Sequence, residues 1–106
     1  MAENYSGNVT SATPVDIFDA AQSNSGGRCQ SYFVSNDDPA NALLVTVVGL
    51  HTETLTCQLN AGKDRTFYKT LGNGCGNGIT KVTVKAAANT AAVTGGVVGR
   101  DGTQGA

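Results

Sequence analysis

Thr54-Leu55-Thr56-Cys57-Gln58-Leu59-Asn60 alternates without a break, with Leu55, Cys57 and Leu59 on one face and the threonines with Gln58 on the other. Successive side chains of an extended backbone point to opposite sides, so this pattern specifies a half-buried β-strand. Just upstream, Leu43-Leu44-Val45-Thr46-Val47-Val48 is almost continuously apolar, which predicts a central strand covered on both faces. Between the two, residues 49–53 form a turn. Downstream, Asn60-Ala61-Gly62-Lys63-Asp64 reads as a short hairpin connection into a strand over 65–71. A further strand starts at Ile79, with Thr80, Val82, Val84 and Ala86 set against Lys81, Thr83 and Lys85.

Working outward, the same reading places strands over 15–20, just after Pro14, and over 28–34. A small polar loop at 22–27 lies between them, and the turn cluster Ser35-Asn36-Asp37-Asp38-Pro39 closes the second. Gly72-Asn73-Gly74-Cys75-Gly76-Asn77-Gly78 is a glycine/asparagine loop, and Asn89-Thr90 opens a last strand running to Val98, kinked at Gly95-Gly96. Residues 1–8 read as a polar N-terminal arm, 9–100 as a single β-domain and 101–106 as a polar tail. Composition agrees: Val, Thr and Ile are 11, 13 and 2 of the 106 residues, and these β-branched side chains favour a pleated surface over a helix. Seven to eight short strands at this spacing specify an all-β fold, an antiparallel sandwich or small barrel.

Charge narrows the function. With 7 Lys+Arg against 8 Asp+Glu, the formal net charge is -1. No basic excess is present to neutralise phosphates, so nucleic acid is not the expected partner. The first residues lack the basic and apolar regions of a secretory signal, and no apolar run approaches the ~20 residues that span a bilayer, so no membrane role is expected. Cys29, Cys57 and Cys75 are odd in number and widely spaced, which favours reduced thiols in a protein made in a cytosol; a Cys29–Cys57 bridge is the alternative.

Constellations suited to chemistry are sparse. The glycine loop has G-x-G-x-G-x-G spacing and no following helix to hold an anion, and Ala61-Gly62-Lys63-Asp64 lacks the rest of a P-loop. Asn36-Asp37-Asp38 and Asp101 offer oxygens of the kind calcium takes, but one loop supplies too few ligands and an Asx-turn accounts for the same residues. His51 is the sole histidine and sits on a turn; Cys57 falls on an apolar face and Cys75 in the glycine loop. Asp16 and Asp19 point to opposite faces of a regular strand, so they do not form an acid/base pair. Tyr32, Phe33, Phe67 and Tyr68, near Arg65 and Lys69, resemble a base-stacking cluster, yet alternation sends half of the rings inward. No catalytic residue, cofactor or metal is expected.

From Asn41-Ala42-Leu43-Leu44-Val45-Thr46-Val47, through Leu59-Asn60-Ala61-Gly62 and Arg65-Thr66-Phe67, to Ile79-Thr80-Lys81-Val82-Thr83-Val84-Lys85 and Gly99-Arg100, the chain resembles small structural proteins of tailed bacteriophage virions. The resemblance is one of Thr/Val/Gly-rich hairpins and short polar arms. It implies a non-enzymatic protein of the virion, made in the host cytoplasm, that decorates or cements a capsid by binding the major capsid protein, often as a trimer. Head–neck or tail accessories, or a β-sandwich adhesion or carbohydrate-binding module, are the alternatives. Unpaired edges and a low-charge surface suit repeated docking, and the expected contacts are Glu3, Asn4 and Tyr5 of the arm with Asn73 and Asn77 of the glycine loop.

Overall fold

A computed structural model describes residues 4–22, 28–49, 52, 54–68 and 78–99. They form eight strands: β1 (Asn4–Thr10), β2 (Val15–Asp19), β3 (Ser31–Asn36), β4 (Leu43–Gly49), β5 (Thr54–Leu59), β6 (Asp64–Tyr68), β7 (Ile79–Ala86) and β8 (Thr90–Gly99). One sheet has the order β1-β8-β3-β6, the other β2-β7-β4-β5, and every pairing is antiparallel. The all-β sandwich expected from sequence is therefore present. Its strand order is that of a jelly roll, two interleaved Greek keys in which the chain passes repeatedly between sheets.

That topology corrects one connection. Asn60–Lys63 is a tight turn, closed by Lys63 N–H donating to the Asn60 carbonyl at 3.0 Å and by Gly62 at φ 76°. It does not make a hairpin, because β5 lies in one sheet and β6 pairs with β3 in the other. Turn chemistry reports only that the chain reverses; which neighbour the next strand finds is decided by packing. Among the described strands, β4–β5 is the one hairpin of consecutive elements.

The arm is corrected too. Asn4 to Asn8 belong to β1, which pairs along its length with β8 from Asn4↔Gly96 to Thr10↔Thr90. Tyr5, Gly7 and Val9 face inward while Asn4, Ser6, Asn8 and Thr10 face solvent. Polar residues on the outer row of an edge strand cost nothing, since the ladder is made by backbone.

The interior is filled by side chains from both sheets. Tyr32, Phe18 and Phe67 are the largest fully buried residues, joined by Ile17, Leu43, Ile79 and a set of valines. Phe18 and Tyr32 meet across the sandwich with ring centroids 5.3 Å apart and planes tilted by 42°. The Tyr32 hydroxyl donates to the Ile17 carbonyl at 3.3 Å, which ties β3 to β2 in the opposite sheet. Gly95 makes room for this ring: a Cβ there would stand 2.9 Å from Tyr32 Cε1 and Oη. The Gly95-Gly96 pair is therefore no kink. Both glycines are in continuous register with β1 and β3, and the irregularity falls beyond them, where Val98 is the extra residue between Tyr32↔Val97 and Ser31↔Gly99. Val98 is turned out to 63% exposure as a result.

β4 is central, as expected, but covered on one face only. Leu43, Val45 and Val47 are buried, whereas Leu44, Thr46 and Val48 on the outer face are half-buried. The remaining strands also shift modestly: β3 begins at Ser31, preceded by an isolated bridge between Cys29 and Ile79.

Candidate functional site

The registers place the ends of β2, β4 and β6 and the starts of β3, β5 and β7 at one end of the sandwich. The opposite end carries the shorter connections and is stitched by side chains. There the Asn36 amide is fully buried; its Nδ2 donates to the carbonyls of Asn41, Leu59 and Asn60 at 2.9, 3.0 and 3.2 Å, and its Oδ1 accepts from Asp38 N–H at 3.1 Å. Asn41 Nδ2 donates to the Thr90 carbonyl at 2.8 Å. Asp38 Oδ2 accepts from the N–H groups of Ala40 and Asn41, which hold its carboxyl below the usual range. Thr94 and Ser35 donate hydroxyls to the two oxygens of Asp37 at 2.6 and 2.7 Å, lowering its pKa likewise. The Asx-turn reading of Asn36-Asp37-Asp38 thus holds, and among the described residues no cluster of three His, Cys, Asp or Glu can hold a metal.

The structure splits the residues expected to touch a partner. Asn4 and Tyr5 lie on opposite faces of β1. The Asn4 side chain lies over Gly96, its Oδ1 2.7 Å from where a Cβ would stand, and lines a shallow depression with Ser6, Phe33 and Thr94 on the outer face of the sheet. Tyr5 folds along the inner face over Gly7 and packs against the core. Glu3, Asn73 and Asn77 lie outside the described residues, as do His51, Cys75, Lys69 and the tail 101–106. Cys29 is buried and Cys57 half-buried, both as thiols with no bond between them. Tyr32 and Phe67 face the core, while Phe33 is half-buried and Tyr68 is 53% exposed, as alternation requires. Arg65 Cζ stands 5.0 Å from the centroid of the Phe67 ring.

Asp16 and Asp19 depart from the expectation. A bulge between Asp16 and Phe18 lets Ile17 and Phe18 both turn inward and leaves the two carboxylates on one side. Lys81 Nζ is 3.7 Å from Asp16 and 4.0 Å from Asp19, and Thr83 donates to Asp16 at 2.7 Å. The exposed Lys81–Asp16 pair contributes little stability. Asp16 belongs to an outer face on which Thr56, Thr46, Thr83 and Asp16 stand in register across four strands. Leu44, Thr46, Thr56, Thr83 and Lys85 line a groove on that face, together with Pro14. Among the described residues no helix is long and apolar enough to cross a membrane.

Comparison with family models, with curated proteins and with solved structures finds no match to this chain.

Proposed function

We propose that this chain is a structural component of a bacteriophage virion, a decoration or cement protein that binds the major capsid protein from outside the head. The observation that carries the reading is the strand order, β1-β8-β3-β6 over β2-β7-β4-β5. Jelly rolls of this order recur in virus shells as well as in lectins and cupins, so the fold supports the reading by analogy and the surface must do the rest. Among the described residues, aromatic and aliphatic side chains from both sheets fill the interior. The groove and face around Leu44, Thr46 and Thr83 present hydroxyls and short apolar groups, a composition suited to flat protein-protein contact.

A second reading, a carbohydrate-binding module, draws on Phe33, whose half-buried ring stands beside Asn4, Ser6 and Thr94. A ring next to amide and hydroxyl groups is the arrangement that stacks on a sugar face. The two readings separate in one experiment. Heads produced after deletion of this coding sequence are mixed with the purified chain and sedimented. Saturable binding at a fixed ratio to the major capsid protein supports the virion reading; a chain left in the supernatant that binds a glycan array instead contradicts it.

A further inference from the structure

Among the described residues, the backbones of β1 and β2 approach each other more closely than those of β5 and β6. Leu55 and Cys57 point inward by register, opposite Val47 and Val45 of β4, and pack against the core, yet both are only partly buried. Among the described residues, β5 is the last strand of its sheet.

The other three edges carry features that discourage pairing with a like edge. β2 is short, bulged, preceded by Pro14, and flanked by Asp16 and Asp19, so two copies would oppose carboxylates. β6 begins with Asp64-Arg65 and spans five residues. β1 carries Gly7 in its middle, which weakens it as a pairing strand. β5 alone, Thr54-Leu55-Thr56-Cys57-Gln58-Leu59, has no charge, proline, glycine or bulge.

We propose that β5 pairs with β5 of a second copy of this chain, antiparallel about a two-fold axis at Cys57. That register sets Leu55 opposite Leu59 of the second copy and Thr56 opposite its Gln58. Apolar groups then meet apolar groups on the inner row, polar meet polar on the outer, and no like charges come together. The two β2-β7-β4-β5 sheets join into one continuous sheet, and Leu55 and Cys57 lose their exposure. Such a contact is isologous and closed. A six-residue strand covers less than the roughly 800 Å² per partner of a stable interface, so association is weak and grows with local concentration. The pairing stands on the edge itself and is independent of the virion reading; it gives dimers in place of the trimer that the resemblance implies.

The test uses the full chain carrying Cys75→Ser, so that Cys57 is the reporter thiol, at concentrations from roughly 10 μM to 1 mM, the range of weak association. Sedimentation velocity reads the mass. Diamide, which takes up the two electrons and two protons released when thiols join, then traps the pair, since opposed residues of an antiparallel pair stand within disulfide reach. The expected result is a monomer–dimer equilibrium, a Cys57–Cys57 cross-link identified by peptide mapping, and at least a roughly tenfold weakening in Thr56→Lys/Gln58→Lys, which opposes lysines twice on the solvent face. Asn8→Lys on β1 leaves the dimer unchanged. A monomer throughout the range, a trimer, or a dimer that neither cross-links at Cys57 nor responds to the β5 lysines overturns the proposal. Thermal melts of each variant verify that the fold is kept.

Discussion

Replacing Asn36 by alanine removes the amide that fastens the end of β3 to the β3–β4 connection and to the end of β5. Three carbonyls lose a donor, at 2.9, 3.0 and 3.2 Å, and Asp38 N–H loses its acceptor. The Asn41 and Asn60 carbonyls are partly accessible and recover water, but the bond to the Leu59 carbonyl is buried. A net hydrogen bond contributes about 1 kcal/mol and a buried unsatisfied group costs about 1–3 kcal/mol, so the loss is roughly 3 kcal/mol. For a domain of this size each kcal/mol moves Tm by about 4–8 °C, so Asn36→Ala melts about 12–24 °C below the parent. Circular dichroism melts and urea titration measure it, the latter with an unchanged m value. Asn36→Asp keeps the shape but not the donor and loses at least as much. Asn60→Ala, which removes only an exposed bond from Gln58 Nε2, stays within about 0.5 kcal/mol. A melt for Asn36→Ala within about 3 °C of the parent would refute the assignment of this amide as the fastening between sheets.

Gly95→Ala drives a Cβ to 2.9 Å from the Tyr32 ring and 3.0 Å from Ile17 Cδ1 and destabilises by about 1–3 kcal/mol; Tyr32→Phe relieves part of that cost in the double variant, and urea unfolding measures the coupling. Burial raises the Tyr32 pKa above its ordinary value, with the nearby Cys29 adding to the shift, so its contribution to stability is complete below pH ~10 and is lost as pH rises above that value. In an ultraviolet titration the Tyr32 phenolate therefore appears only together with unfolding. The Asp37 pKa is lowered, so its contribution is present above the ordinary carboxyl range and is lost as pH falls through the folded value. Carbon NMR titration reports the shift directly, and Thr94→Val with Ser35→Ala returns it toward normal.

Much of the fold is legible in the strands themselves and little of it in their partners. Leu55, Cys57 and Leu59 announce β5, and Val82, Val84 and Ala86 announce β7, because burying one face of a sheet leaves a period of two. Nothing in Asn60-Ala61-Gly62-Lys63 tells a hairpin from a crossing between sheets: the same turn serves both, and the choice is made by β3, whose Ser35 takes Asp64 as neighbour. β1 hides for a different reason. Its inner row, Tyr5, Gly7 and Val9, alternates as β5 does, but a glycine and a tyrosine near the chain start look like a loose arm until β8 is beside them. The bulge at Ile17 is equally silent, and it reverses the relation of Asp16 to Asp19.

Alternation sends half of the ring cluster inward, and the structure shows which half, Tyr32 and Phe67, but the sequence misses the Asn36 amide. An asparagine in a run of turn residues is ordinary, and its burial appears only when β5 closes over it. The partial exposure of Leu55 and Cys57 is likewise set by what surrounds β5 in the fold, which no alternation pattern records.

The proposal that this chain serves as part of a head is tested most directly by its copy number in purified particles. Quantitative mass spectrometry against the major capsid protein should return a fixed stoichiometric ratio, undiminished by repeated gradient purification. A chain that washes away, or that stays in the lysate while intact particles sediment without it, contradicts the account.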